Sequence, residues 1–213
     1  MLNADVLTFQ EFAMRETLPL SKIHQAVLEF LQGRDDVVLF GAQAVNAYVS
    51  EPRMTQDIDL LSVRAKDLAE ELRRSWANNF ISPSEFEKLR KKVFGFIKSD
   101  RIYQVRREGN RHLVDLRQIN ELPQTQTIEK VLVLSPAELI VSKVISYHSR
   151  RGRPKAGTDW RDLAMLLLRF PELKGKVSGI LWAKNVGAAV LEIWAEIERQ
   201  DFQFEDEDED LNF

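Results

Sequence analysis

Gly41-Ala-Gln-Ala-Val-Asn-Ala-Tyr-Val-Ser-Glu-Pro-Arg-Met-Thr-Gln-Asp-Ile-Asp-Leu-Leu-Ser62 is the stretch on which the reading of this chain turns. Its end, Thr55–Ser62, reads as a β-strand carrying two aspartates two positions apart. Strands are poor in Asp, and like charges on one face of a sheet repel. Alternation puts Asp57 and Asp59 on one face and Ile58 and Leu60 on the other, so the apolar partners anchor a rigid pair of carboxylates. Hard divalent cations take oxygen ligands of this kind and keep positions open for phosphates. The competing reading is a common Asp-x-Asp string with no ligand.

The flanks bear on that choice. Val37-Val-Leu-Phe40 is a short apolar run, read as a buried strand, and it ends at Gly41. Ala42–Val49 reads as a helix of small residues, broken by Glu51-Pro52. A glycine between a strand and a helix presents backbone N–H groups where an anion can sit, and Arg53 and Thr55 are further candidate donors. Downstream, Arg111–Arg117 is strand-like and carries Asp115 between Val114 and Leu116. If that strand lies beside the first, three carboxylates converge, and such a cluster can hold two metals for in-line attack at phosphorus. Otherwise Asp115 is a surface residue of an edge strand.

Outward from there, Ser21 is placed to cap a helix through Ile23, Val27, Phe30 and Leu31 that Gly33 closes. A short helix is expected around Phe9–Met14, a longer one over Ala65–Asn78 on Leu68, Leu72 and Trp76, and a polar loop with a short helix over Ile81–Lys92. Phe94–Ile97 and Arg101–Arg107 read as strands, the latter turning at Glu108-Gly-Asn110 into Arg111–Arg117. After Pro123 the composition reads as helical. Ser135-Pro136-Ala-Glu138 has the form of a capping box, Ser149–Gly157 reads as a basic loop, and further helices are expected over Asp159–Leu168 and about Asn185–Arg199. The expected fold is α/β (α+β), a mixed sheet with flanking helices. The expected organisation is N-terminal helices over 1–34 packing on a core over 35–122, then a helical segment over 123–200 and an acidic tail over 201–213.

Composition limits the function classes. The chain has 213 residues, ordinary apolar and charged content, and no cysteine, which removes disulfides, thiolate metal sites and thiol catalysis. No apolar run reaches the length of a membrane span, and the N-terminus lacks a basic start followed by an apolar core, so a cytoplasmic protein is expected. The 33 acidic residues fall to 27 without Glu205–Asp210, against 30 basic ones, so a slightly positive body carries an acidic end. That end reads as a solvated tail, against the sharper alternative of a nucleic-acid mimic or a lid over a basic groove, with a partner protein as one ligand for it. Basic residues concentrate over Lys88–Arg111 and Arg150–Lys155, interleaved with Phe94, Phe96 and Tyr103. They fit either a solvated face or an RNA acceptor site. His24, His112 and His148 are far apart. By alternation His112 faces away from Asp115 and is no obvious partner.

Taken together, Gly-Ala-x-Ala-Val-Asn-Ala-Tyr and Pro-Arg-x-Thr-x-Asp-Ile-Asp-Leu resemble the signature of the nucleotidyltransferase superfamily, the polymerase-β-like fold. The similarity is to its small bacterial branch, near abortive-infection toxins and aminoglycoside-type transferases. It runs roughly from Val37 to Leu168 and is strongest over Gly41–Leu61. The resemblance implies that Gly41 and Ala42 touch nucleotide phosphates, and that Asp57 and Asp59 bind Mg²⁺ (or Mn²⁺) with Asp115 as the third acid. Ala42 stands where the family has a second glycine or a serine. Lys143, followed by Asp159-Trp-Arg-Asp-Leu163, is similar to the family's lysine and its downstream acidic element. That similarity implies a contact from Lys143 to the triphosphate, with Asp159 or Asp162 fixing the lysine or the basic loop. Read on residues alone, Lys143 is equally a solvated helix lysine and Asp159 an N-cap.

The function so implied is transfer of a nucleoside monophosphate from an NTP to a hydroxyl of RNA (a tRNA end), a protein or a small molecule, with a toxin-like role among the options. The rival is a catalytically idle relative that binds nucleotide or protein.

Overall fold

A computed structural model describes residues 20–80, 97–98, 101–104 and 111–203. The expectations for Phe9–Met14, for 81–92, for the turn at Glu108–Asn110 and for the acidic tail lie outside these residues. Contacts divide the chain into two units. One holds the residues up to Ala44 together with Arg53–Leu134, and the other holds Val45–Pro52 with the chain from Ser135 onward.

The first unit is built on a mixed sheet. Its strands are β1 (Val37–Phe40), β2 (Ile58–Ser62), β3 (Ile97–Lys98), β4 (Arg101–Gln104), β5 (Arg111–Gln118), β6 (Thr125–Ile128) and β7 (Val131–Leu134), in the order β3-β4-β5-β2-β1-β7-β6. β2 pairs antiparallel with β1 and parallel with β5, and β1 is parallel to β7. Helix α1 (Leu20–Leu31) buries Ile23, Ala26, Val27 and Leu31, and the short α2 (Gly41–Asn46) follows β1 directly. Helix α3 (Ala65–Phe80) buries Ala65, Leu68, Ala69 and Leu72 on β2, β4 and β5, and α1 packs on α3 and β7. Ile58, Leu60, Val114 and Leu116 on the central strands are buried, as the period-two pattern requires.

Two sequence expectations are corrected in this unit. The segment after Pro123 does not turn helical at once: β6 and β7 form a hairpin whose register, Ile128 opposite Val131, leaves Glu129 and Lys130 as a two-residue loop. Both loop residues have positive φ, 47° and 67°. Two successive positive values fit the mirror-image turn that suits strand twist, but the pair here is Glu-Lys, not Asn-Gly, so the usual hairpin signal is missing. Lys130 adds a tertiary tie, since its carbonyl accepts from the Gly33 N–H at 2.8 Å. The strand expected over Thr55–Ser62 begins only at Ile58, which leaves Asp57 at its entry.

The second unit is helical, with α4 (Pro136–Arg150), α5 (Lys155–Arg169), a 3₁₀ turn (Pro171–Leu173), α6 (Lys174–Ala183) and α7 (Ala188–Glu198). The basic loop expected over Ser149–Gly157 shrinks to the four residues between α4 and α5. Ser135 stands at the N-cap of α4 with Pro136 behind it, but its hydroxyl makes no capping bond, and Glu138 instead pairs with Lys184 at 3.3 Å. Tyr147, Trp160 and Phe202 pack as a chain of rings, with centroids 5.4 and 6.0 Å apart, and draw the segment after α7 onto α4 and α5.

Candidate active site

Asp59 and Asp115 are direct register partners across the parallel β2–β5 pair. Phe40, the last residue of β1, is the partner of Asp59 on its other side. Neighbours in one row of a sheet project to one face, on strands about 5 Å apart, so the two carboxylates share that face. Like charges at that spacing repel by about 3 kcal/mol at an effective dielectric of about 20. That cost needs a counter-charge, and Arg117 supplies one. Two residues beyond Asp115 on the same strand face, it holds Nη2 at 3.7 Å from Asp115 Oδ2 and 4.0 Å from Asp59 Oδ1. Its guanidinium lies 4.8 Å from the centre of the Phe40 ring. More than half of the Arg117 side chain is exposed, so screening discounts each attraction.

Gly41 makes room for this arrangement. It follows Phe40 at φ 69°, a conformation that glycine adopts without strain. A Cβ built there would overlap the Asp59 carboxylate, lying 2.7 Å from its Cγ. The glycine read from sequence as an approach point for phosphate is thus also a cradle for the second aspartate. Ala42 behind it is buried and carries no hydroxyl.

Asp57, before the strand, is held locally. Thr55 Oγ1 donates to the Asp57 carbonyl at 3.1 Å, with Oδ1 at 3.5 Å, so the threonine hydroxyl shapes this entry turn. Arg53 Nη1 donates to the Met54 carbonyl at 3.3 Å. The expectation that His112 is no partner is corrected: its Nδ1 lies 3.4 Å from Asp57 Oδ2, with Nε2 3.1 Å from the Val114 carbonyl. Alternation failed because Asp57 is outside the ladder, where face assignment no longer applies. Arg117 was passed over too, although counting two residues on from Asp115 would have found it. Among the described residues, no three acid or histidine side chains are already gathered tightly enough to hold a metal ion.

In the second unit Lys143 is buried, and its Nζ donates to Asp162 Oδ2 at 2.7 Å while lying 3.7 Å from Asp159 Oδ1. Arg150 Nη1 donates to the other oxygen of Asp159 at 2.7 Å. Two residue-level readings are overturned here. Lys143 is not a solvated helix lysine. Asp159 is not an N-cap, because α5 starts at Lys155 and places it inside the helix.

No family model matches the chain, and no curated protein matches it by sequence. Solved structures do match. The Megavirus polyadenylate synthase aligns with a TM-score of 0.54 at 10% identity, over 76% of this chain and 34% of that one. An antigenic nucleotidyltransferase-like protein from Paracoccidioides brasiliensis aligns at 0.41 and 18% identity, over 81% of this chain and 89% of that one. ANT(2")-Ia, solved in complex with adenylyl-2"-tobramycin, aligns at 0.43 and 15% identity, over 89% and 99%. The chain spans about a third of the polyadenylate synthase, and what the two share is the fold. That fold is nucleotidyltransferase-like, as the Gly41–Leu61 signature led us to expect. No helix among the described residues is long and apolar enough to cross a membrane.

Proposed function

We propose that this chain moves a nucleoside monophosphate from an NTP to a hydroxyl acceptor and releases pyrophosphate, with Mg²⁺ or Mn²⁺. The observation that carries the reading is the register pairing of Asp59 with Asp115 beside the Gly41 turn. The donor set fits a hard cation. Two carboxylates in one sheet row, with Asp57 at the strand entry, are oxygen ligands of the right kind. When bound, the metal would neutralise the triphosphate and polarise the attacked phosphorus.

The chain's own residues have separable parts in this proposal. Asp57, Asp59 and Asp115 hold the cation. Asp115 also takes the acceptor's proton as its oxygen bonds to the α-phosphorus and the bond to pyrophosphate breaks. Gly41 and Ala42 let the phosphates approach the main chain, and Arg53 supplies positive charge beside them. Thr55 is assigned to positioning Asp57, because its hydroxyl is already turned to that residue. For Lys143 and Asp159 we assign first the joining of α4 to α5. A contact from Lys143 to the triphosphate requires its release from Asp162.

A second reading, a nucleotide- or protein-binding module without turnover, draws on Ala42 and on the acidic run Glu205–Asp210 in the sequence. Calorimetric titration of NTP with Mg²⁺ into wild type, Asp57→Ala and Asp59→Ala, followed by incubation of labelled NTPs with cell extract, separates the two. The enzyme binds NTP only with metal, labels an acceptor, and loses both properties in the variants. Label on RNA, on protein or on a small molecule such as an aminoglycoside then names the acceptor class, on which any toxin-like role depends. Metal-dependent NTP binding without labelling of any acceptor supports the module.

A further inference from the structure

We propose that Arg117 is a resident cation of the Asp59–Asp115 pair, that a divalent ion must displace it, and that it thereby tunes the metal affinity of the site. The inference rests on the metal-dependent reading above. Three observations carry it. First, one guanidinium nitrogen lies near both carboxylates, 3.7 Å from Asp115 and 4.0 Å from Asp59, too far for a hydrogen bond to either. A bidentate fork would have gripped one carboxylate at shorter range. The placement is that of a point charge shared by two candidate ligands. Second, Arg117 rests on Phe40 at 4.8 Å, so the same sheet row that presents Asp59 also presents a platform for its counter-ion. Third, the side chain is 55% exposed, which leaves it a path to withdraw.

The consequence is a conditional site. A divalent ion approaching Asp59 and Asp115 alone meets a like charge at close range, and its binding is weak. An incoming triphosphate supplies new acceptors for the guanidinium and brings anionic charge for the metal. Nucleotide and metal therefore bind cooperatively, with Arg117 as the positioning residue that couples them.

The test is Mn²⁺ binding to the full chain, read from the electron-spin-resonance signal of free Mn²⁺, for wild type, Arg117→Ala and Arg117→Lys. Each is measured with and without a non-hydrolysable NTP analogue. Loss of the cation should tighten Mn²⁺ binding without nucleotide by about ten-fold, since one competing charge is removed. Arg117→Lys should stay near wild type, and the gap between wild type and Arg117→Ala should narrow with nucleotide. Equal or weaker Mn²⁺ binding by Arg117→Ala overturns the inference and leaves the metal-dependent reading standing. No Mn²⁺ binding by any form, with or without nucleotide, removes that reading and the inference with it. A metal-free thermal-unfolding cycle guards against a merely structural effect. Arg117→Ala should lower Tm, Asp115→Asn should restore part of the loss, and strict additivity would contradict the shared-charge role.

Discussion

Gly41 lies against the carboxylate of Asp59, and nothing larger than a hydrogen fits between them. The pairing links the turn after β1 to the face of β2. It makes the glycine a condition for the position of an acid eighteen residues on, as the numbering shows. Gly41→Ala must adopt a left-handed φ and push the Asp59 side chain aside. The first effect costs about 1–2 kcal/mol, and the overlap adds to it. The expected outcome is a lower Tm together with loss of the proposed nucleotidyl transfer. A variant that keeps wild-type Tm and wild-type turnover would disprove the cradle.

That relationship also shows what could be read in advance. Period-two alternation in Ile58-Asp-Leu-Leu and in Val114-Asp-Leu-Arg identified the two acidic strand faces, because half-buried strands leave that pattern in sequence. Strand neighbours are not written locally, so the register of Asp59 with Asp115 was a condition and not a reading. The partners of Asp57 were misjudged because the strand starts at Ile58, three residues later than its residue types suggest, and leaves Asp57 outside the ladder. Lys143 was ambiguous because its spacing on α4 is the same whether the lysine meets water or Asp162. Only the packing of α5 decides that.

The buried group around Lys143 predicts a large, non-additive response. Asp162 is fully buried, and Lys143 is nearly so. Lys143→Met leaves Asp162 without its ammonium partner, a change that typically costs about 3–5 kcal/mol. Pairing it with Asp162→Leu removes the orphaned charge as well. The double variant should therefore be more stable than the sum of the single effects allows, measured by urea unfolding. Additive losses would mean that the two side chains do not depend on each other.

Asp36 offers a prediction in pH. Hydrogen bonds from Arg34, at 2.7 and 2.9 Å, hold its carboxyl below the usual carboxylate range, and Coulomb attraction to Arg34 and Arg64 acts the same way against partial burial. A depressed carboxylate contributes stability that is present above its unfolded pKa of about 3.9 and is lost as pH falls through the lower folded value. Asp36→Asn should therefore lower Tm at pH 7, and its Tm should converge with wild type in acid. A gap that stays constant from pH 7 to pH 2 would assign the effect to shape instead of charge.

The hairpin that escaped the sequence reading gives the last prediction. Glu129 and Lys130 both take positive φ, in a loop that favours Asn-Gly. For ordinary L-residues that conformation costs roughly 1–2 kcal/mol each, less for Asn and almost nothing for Gly. The two-strand register and the bond from the Gly33 N–H to the Lys130 carbonyl hold the loop in place against that cost. Because the bond uses only the Lys130 backbone, the double change Glu129→Asn with Lys130→Gly keeps it. The variant should gain about 1–2 kcal/mol in urea unfolding, after the extra chain entropy of glycine in the unfolded state is set against the strain relieved. The proposed nucleotidyl transfer should not change, since the loop carries none of the proposed site residues. A loss of stability would show that the side chains of Glu129 or Lys130 contribute more than their backbone conformation costs.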